Sequence, residues 1–189
     1  DRQEVLPFPA CNLVVEPDSI TLHGPTTSIS YRELEGRGWA VGALLRPAGA
    51  GALCSPSLIR NSHRTLEDPD LKATVAGAMT DTNTTRGEQR AANVLAAWVA
   101  QHTGPPQAMA LMANRMEDVV ASDRSILRVD QLARRLDLSI RSLQRLCKKY
   151  VGLPPLAVIR RYRLQEAAQR LREDPSVTVA QVAAELDYA

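Results

Sequence analysis

The chain of 189 residues has few aromatic residues, few cysteines and no long apolar run. Its aromatic fraction is 4%, with a single Phe. Its three cysteines, at positions 11, 54 and 147, are odd in number and widely spaced, a pattern that fits a reducing, intracellular setting better than a disulfide framework. No signal-peptide pattern or membrane-length apolar run occurs, so we expect a cytoplasmic protein with no membrane partner.

Residues suited to metal binding or catalysis are scattered. Cys11, His23, Cys54 and His63 lack the close spacing of metal ligands, so structural roles are the preferred interpretation. The segment AGAGAL at 48–53 lacks the Lys-Ser/Thr that follows the glycines of a phosphate-binding loop. We therefore expect no metal, no cofactor and no enzymatic activity.

Charge, by contrast, is present and unevenly distributed. Residues 1–122 contain 10 Lys/Arg and 13 Asp/Glu, whereas residues 123–189 contain 13 and 8. Seven basic residues and no acid lie between Ser139 and Arg163. An acidic front and a basic back predict two domains with different partners.

Residues 1–85 are predicted to form a β-rich domain. The segments CNLVVE, SITLHG, SISYREL and WAVGALLRP are short and apolar or β-branched, and Gly and Pro separate them. This spacing of turns predicts an antiparallel sheet or a small barrel. We interpret PAGAGALCSPS as a loop and LEDPDLKATVAGAM as a segment that holds a short helix.

A ligand pocket inside this sheet is one hypothesis, and a plain hydrophobic core is the alternative. The polar candidates for contacting an effector are His23 and Arg46. The apolar candidates are the residues expected to face inward, namely Leu13, Val15, Ile20, Leu22, Trp39, Val41 and Leu45.

Residues 86–122 are predicted to be a helical linker or dimerisation region. Apolar residues recur at helical spacing in two stretches, at about 86–104 and about 106–121. In the second stretch the residues expected to face inward are Met109, Met112, Met116, Val119 and Val120. Such a Met-rich face favours an adaptable core, and a partner-binding surface is the alternative.

An internal repeat lies in the basic part of the chain. RVDQLARRLDL at 128–138 matches TVAQVAAELDY at 178–188, fifty residues later. The apolar pairs that share one helix face are Val129/Val179, Leu132/Val182, Ala133/Ala183 and Leu136/Leu186. The small Ala permits a second helix to cross closely, as the first helix of a helix-turn-helix requires.

The segment SIRSLQRLCKKYVGLPP, which follows the first repeat, is predicted to be a recognition helix. Ser139 is suited to cap its start, and Gly152 followed by two prolines is suited to end it. Helical spacing predicts a buried face of Leu143, Leu146, Cys147 and Tyr150. The opposite face consists of Arg141, Gln144, Arg145 and Lys148.

This opposite face predicts DNA binding. Arg, Gln and Lys are the side chains that contact base edges in the major groove, and no Glu neutralises them. An ordinary solvated helix face is the alternative. The full set of predicted DNA-contacting residues is Arg141, Ser142, Gln144, Arg145, Lys148, Lys149, Arg160 and Arg161.

A third helix is predicted at about 155–173, long enough to separate two DNA-binding units by about one turn of the duplex. Arg160 and Arg161, near its start, are expected to contact phosphates, while Arg163 has either that role or an internal partner, Glu166 or Asp174. The residues expected on its buried side are Leu156, Ile159, Leu164, Ala167 and Leu171.

These linked motifs closely resemble the C-terminal DNA-binding domain of AraC/XylS-type transcription regulators. The segments that carry the resemblance are LARRLDLSIRSLQRLCKKYVGLPP, IRRYRLQEAAQRL and VTVAQVAAELDYA. The resemblance implies two helix-turn-helix units joined by a linker helix, double-stranded promoter DNA as partner, and RNA polymerase as a further partner of an activator.

Two positions depart from the family pattern. Arg128 stands where a capping Ser or Thr is more usual, and Asp187 stands where Gly is common. The repeat places the start of a second recognition helix near position 190, so we expect a chain truncated within its second helix-turn-helix.

The front half resembles, more loosely, the half-cupin N-terminal domains of AraC regulators of actinobacterial type. LPFPACNLVVEPDSITLHGP and GRGWAVGALLRPAG carry this resemblance, which implies effector sensing or formation of a homodimer.

We therefore expect an α+β protein with a β-rich, half-cupin-like domain at 1–85, a helical region at 86–122 and a DNA-binding domain at 123–189. The leading hypothesis is an effector-responsive transcription regulator. The alternatives are a constitutive DNA-binding protein with a purely dimerising front domain, and a DNA alkylation repair protein of the Ada type, whose clustered cysteines are not seen here.

Overall fold

The computed structural model describes residues 2–5, 7–33, 38–81, 83–174 and 176–185, and it combines antiparallel sheet with α-helices. The strands are β1 (Arg2–Val5), β2 (Cys11–Val15), β3 (Ile20–His23), β4 (Ser30–Glu33), β5 (Val41–Leu45) and β6 (His63–Thr65). The helices are α1 (Pro47–Leu53), α2 (Pro69–Met79), α3 (Thr84–Thr103), α4 (Ala108–Ser122), α5 (Val129–Arg135), α6 (Ile140–Tyr150), α7 (Pro155–Glu173) and α8 (Val179–Glu185).

The strands form two antiparallel sheets. The larger has the order β5-β2-β3-β6, and the smaller pairs β1 with β4. In the larger sheet, Leu13 pairs with Leu22 on one side and with Ala43 on the other. The predicted antiparallel sheet is confirmed, although β1 and β6 were not anticipated.

The front core lies between the larger sheet and the helices α2 and α3. Leu13 and Leu22 of the sheet are fully buried together with Val75 of α2 and Leu95 of α3. Asp68 links the two helices, because its carboxylate accepts hydrogen bonds from the Leu71 N–H at 2.9 Å and from the indole of Trp98 at 2.7 Å. These contacts hold the pKa of Asp68 below its ordinary value.

The helix α1 corrects one prediction. The segment from Pro47 was interpreted as a loop because it contains two glycines, yet it forms two helical turns. Its small side chains allow it to pack against α3, α4 and α6 at once. Burial of Pro47 and Ala50 therefore outweighs the weak helix propensity of its glycines.

The back core is built from helices and the turns that join them. It joins residues from α4 to α7, among them Met116, Leu132, Leu146 and Ile159, each at most 1% exposed. Within α4 the predicted inward face is correct for Met116 and Val120, but Met109 is 51% exposed.

The region predicted as a linker at 86–122 is divided between the two cores. Ala91 and Leu95 of α3 belong to the front core, whereas Ala113 and Met116 of α4 belong to the back core. The domain boundaries themselves stay predictions. In the described ranges, every helix is too short or too polar to span a membrane.

Polar contacts fasten the front half to α4. The guanidinium of Arg46 lies 2.7 Å from the Glu117 carboxylate and 2.8 Å from that of Asp118. The backbone N–H of Ala48 donates to the side-chain oxygen of Asn114 at 2.9 Å. The phenol of Tyr162 in α7 donates to Glu117 at 2.9 Å, so α4 connects both halves.

Candidate nucleic-acid interface

The helices α5 and α6 are joined by a tight turn. Asp137 has a left-handed backbone conformation with φ of 55°, and the N–H of Leu138 donates to the carbonyl of Ala133 at 2.9 Å. Asp tolerates this conformation better than most residues. The turn brings Ala133 and Leu136 of the first helix into the same core as Leu143 of the second.

The start of α5 is only half capped. The side-chain oxygen of Gln131 accepts from the N–H groups of Leu127 at 2.9 Å and Arg128 at 2.8 Å. The side chain of Arg128 has no acceptor atom for the amides of the first turn, so the reciprocal bond of a capping box is missing. Arg128 at this position therefore leaves the start of α5 less stable than a Ser or Thr would.

The ends of α6 match the prediction. The Ser139 hydroxyl accepts from the N–H of Ser142 at 3.1 Å. At the other end Gly152 has φ of 78°, and its N–H donates to the carbonyl of Cys147 at 2.8 Å. Pro155 then begins α7. Both boundaries of the recognition helix are therefore fixed by local sequence.

The buried face of α6 is the one that helical spacing predicts. Leu143 and Cys147 are fully buried, Leu146 is 1% exposed and Tyr150 is 6% exposed. The Cys147 thiol contacts the Met116 sulfur at 3.6 Å, and burial raises the pKa of this thiol to about 12. The thiol therefore acts as a packing group at neutral pH.

The opposite face of α6 is open. Arg141, Gln144, Arg145 and Lys148 are all exposed. In the part of the chain that the structure describes, none of the three cations forms an ion pair. The predicted division of the helix into two faces is confirmed, while the base contacts themselves stay predictions.

Ser142 and Lys149 flank this face. Ser142 is half-buried, and its hydroxyl accepts from the Ser139 hydroxyl at 2.9 Å. The ammonium of Lys149 lies 4.9 Å from the centre of the Tyr150 ring, on the side of α6 that faces α1. Lys149 thus lies at the edge of the predicted DNA-contacting face rather than at its centre.

The two arginines at the start of α7 have different surroundings. Arg160 is exposed. Arg161 is half-buried, and its guanidinium donates to the backbone carbonyl of Thr27 at 2.9 Å, so it ties α7 to the front half. Burial lowers the pKa of Arg161. Phosphate contact by Arg161 stays a prediction, but the structure gives this side chain another partner.

Arg163 is buried inside the helical half, with 2% exposure. Its guanidinium donates to the Val120 carbonyl at the end of α4 and lies 3.2 Å from the Glu166 carboxylate. Of the two partners considered for it, Glu166 is therefore the one observed. Because a buried cation without partners is costly, these contacts fix α7 against α4.

The predicted buried side of α7 is partly wrong. Ile159 is buried, but Leu156 is 37% exposed and Leu164 is 45% exposed. Val158 and Arg163 are buried in their place. Val158, Ile159 and Arg163 share one face of the helix, and Arg163 on this face contacts the Val120 carbonyl of α4. The prediction missed Arg163 because it assigned the buried side to apolar residues alone.

The apolar residues predicted for an effector pocket lie in the front core, and the two polar candidates lie in different places. Leu13, Val15 and Leu22 are fully buried in the front core, with Trp39 and Val41 packed against them. Arg46 is on the surface beside Glu117, and the His23 ring is 5.6 Å from the His63 ring. A pocket inside the sheet stays a prediction, and the apolar candidates are placed as core residues.

All three cysteines are free thiols. The Cys54 thiol donates to the Ala50 carbonyl at 3.2 Å. The neighbouring Cys54 thiol, together with burial, raises the pKa of Cys11 far above its ordinary value. Among the described residues, no group of three or more His, Cys, Asp or Glu side chains gathers as a metal site would.

One comparison with known proteins agrees with this geometry. Residues 132–189 match a family model described as a helix-turn-helix domain, of the AraC type. No curated protein and no solved structure matches the chain. The matched range begins within α5 and includes the turn and the whole of α6. The C-terminal part of the chain is therefore an AraC-type helix-turn-helix domain, the DNA-binding element of transcription regulators.

Proposed function

We propose that the chain is an effector-responsive transcription regulator that binds promoter DNA with sequence preference through α6. The observation that carries this proposal is the exposed, acid-free face of Arg141, Gln144, Arg145 and Lys148 on a helix capped at both ends. The protein would act by binding, without catalysing a reaction.

The side chains on this face suit the major groove of DNA. Arg141 and Arg145 can each donate two hydrogen bonds to guanine, and the Gln144 amide matches the edge of adenine. Lys148 lies one turn after Gln144 and would contact guanine or phosphate. Because Leu143 and Cys147 are locked in the core, α6 presents these side chains from a rigid support.

The response to an effector is supported by the contact between α1 and α6. A Cβ atom at Gly51 would collide with the Tyr150 ring, so the front half rests directly on the recognition helix. A ligand or partner that moved α1 would change how α6 is presented. A half-cupin-like sensor in the front half, a homodimer, and RNA polymerase as the partner of an activator belong to the same proposal.

Binding-site selection from a random duplex library, followed by affinity measurements on the selected site, tests DNA recognition. Arg145→Ala should weaken binding by about 1–3 kcal/mol and relax the preference at one base pair. Arg172→Ala, which removes an exposed arginine near the end of α7, is the matched control and should keep both affinity and preference. Equal affinity of wild type and Arg145→Ala would exclude α6 as the recognition helix.

The effector response needs a separate test. Thermal shift against a panel of metabolites, repeated with the selected DNA present, should reveal a ligand that stabilises the protein and changes its DNA affinity. A panel without any shift, together with a dimer in sedimentation, would favour a constitutive DNA-binding protein whose front half only dimerises.

A further inference from the structure

The front half contributes to the same surface as the recognition helix. A groove of about 490 Å³, here called the seam groove, separates the loop after α1 from α6. Gln144 and Lys148 of the DNA-binding face form one wall, and Ser57, Leu58 and Arg60 of the loop form the other. Any DNA that contacts Gln144 and Lys148 would therefore lie beside this loop.

The seam groove is positively charged. Arg60 and Lys148 line it together, and no acidic side chain is among its lining residues. Within the described ranges of the chain, neither cation has an ion-pair partner. Two like charges that share a groove repel each other, and an anionic partner removes that repulsion.

The loop differs in charge from the rest of the front half. Residues 1–122 have more acidic than basic residues, but residues 36–66 contain four arginines and no acid. This acid-free stretch of the front half includes the loop that lies next to the recognition helix, so its charge favours the approach of a polyanion there.

The loop is also held rigidly in this position. Asn61, with φ of 58°, donates its N–H to the Pro25 carbonyl at 3.0 Å, and its side-chain oxygen accepts from the Thr27 N–H. At the other end of the loop the Pro56 backbone packs on Gly152, where a Cβ atom would lie 2.6 Å from the Pro56 carbonyl carbon. Arg60 is therefore carried by a fixed scaffold.

We propose that Arg60 is a DNA-contacting residue of the front half, which binds the phosphate backbone beside the bases that α6 contacts. The proposal rests on the proposed DNA binding and adds a second element to it. Phosphate fits better than a base edge, because Arg60 flanks α6 from outside and phosphates border the groove that a recognition helix enters.

Salt dependence of binding tests this proposal. We would measure the affinity of the 189-residue chain for a fluorescently labelled duplex of mixed sequence at several salt concentrations. Loss of one phosphate contact should reduce the slope of log K against log[salt] by about 0.9, and this amounts to about 3.5-fold between 50 and 200 mM salt. Arg60→Ala should show this loss, and Arg60→Lys should retain the wild-type slope.

Arg86→Ala is the matched control, because Arg86 is an exposed arginine of the front half on α3, outside the seam groove. The Arg86→Ala variant has the same net charge as Arg60→Ala, and it should keep the wild-type slope of log K against log[salt]. All variants change exposed side chains, and circular dichroism checks that they are folded.

The outcomes separate this inference from the proposed function. If Arg145→Ala weakens binding to the selected site while Arg60→Ala leaves the salt slope unchanged, α6 binds DNA and the role of Arg60 is wrong. Tighter binding by Arg60→Ala would mean that the loop obstructs DNA, which also overturns the inference. If the wild-type protein shows no salt-dependent binding, the proposed function and the inference both fail.

Discussion

The two copies of the internal repeat, residues 128–138 and 178–188, differ in how the start of the helix is capped. In the second copy Thr178 and Gln181 form a complete capping box: the Thr178 N–H donates to the Gln181 side chain at 2.8 Å, and the Gln181 N–H donates to the Thr178 hydroxyl at 3.3 Å. In the first copy Gln131 makes its half of this exchange, and Arg128 cannot return it.

The first copy has the poorer cap but is more deeply buried than the second. The first copy is embedded in the back core, where Leu132 is fully buried and Val129 is packed against the cluster. In the second copy Val182 is buried but Val179 is 70% exposed. Leu186 and Asp187 lie outside the described residues.

The difference indicates that capping hydrogen bonds and burial of apolar side chains can each stabilise a short helix when the other is weak. An isolated seven-residue helix is unstable in water, so each copy needs at least one of them. The first copy depends on burial and tolerates a poor cap, whereas the second depends more on its cap. Four measurements test this contrast, and the expected effect decreases from the removal of core side chains to the removal of one ion pair.

Removing core side chains should produce the largest contrast. Leu132→Ala should lower the free energy of unfolding by about 2–5 kcal/mol, because it leaves a cavity in a closely packed core. Val182→Ala removes fewer atoms from a helix with one open side, and about 1–2 kcal/mol is expected. Urea unfolding measures both, and equal losses would contradict the proposed dependence on burial.

Enlarging the small residue of each copy should give the next effect. Ala133 is 3% exposed where α5 meets the core, so Ala133→Leu should cost about 1–3 kcal/mol through overpacking. Ala183, at the matching position, is half-buried, and Ala183→Leu should be nearly neutral. The melting temperatures of the two variants test this, and an equal decrease in both would contradict the difference in packing between the copies.

Substituting the N-cap residue should change the stability of the two copies in opposite directions. Arg128→Thr supplies the missing acceptor at a residue that already has extended backbone, and it should stabilise the first copy by about 1 kcal/mol. Thr178→Ala should destabilise the second copy by a similar amount. Hydrogen exchange of the amides in α5 and α8 would detect both, and a loss of protection in Arg128→Thr would show that Arg128 has another role.

The smallest effect concerns an ion pair that exists in the first copy alone. Asp130 lies 2.6 Å from Arg134, whereas alanines occupy the matching positions 180 and 184. Desolvation acts to raise the pKa of Asp130, but hydrogen bonds from Arg128 and Arg134 outweigh it and leave this pKa below its ordinary value.

A lowered pKa in the folded state fixes the direction of the pH dependence. The contribution of Asp130 should be present above the pKa of an unfolded Asp, about 3.9, and should disappear as the pH falls through the lower folded value. Asp130→Ala should therefore be slightly less stable than wild type at neutral pH and equal to it in acid. A difference that persisted in acid, or in high salt, would exclude the ion pair as its cause.

Local sequence signals predicted the recognition helix and much of the sheet. Ser139 and Gly152 define α6 because capping and a left-handed turn depend on neighbouring residues alone. Its two faces follow from helical periodicity, and burial of Leu143 and exposure of Arg145 confirm them. The segments predicted as β-strands became β2 to β5 for the same reason, since alternation and turns are local.

Features that depend on distant contacts were not predicted. The helix α1 was missed because its helicity comes from packing against three other helices. The partner of Arg161 is a backbone carbonyl more than a hundred residues away, at Thr27. Arg60 carries no sequence signal of its own, because its importance arises only where the loop meets α6.

Gly152 has a consequence for chimaeric proteins. Its positive φ ends the recognition helix, and its missing Cβ also admits the Pro56 backbone of the other half. A designer who grafts a different front half onto this DNA-binding domain must therefore keep a loop packed on the α-carbon of Gly152. The length of the segment between α1 and β6 is consequently the dimension that the replacement has to match.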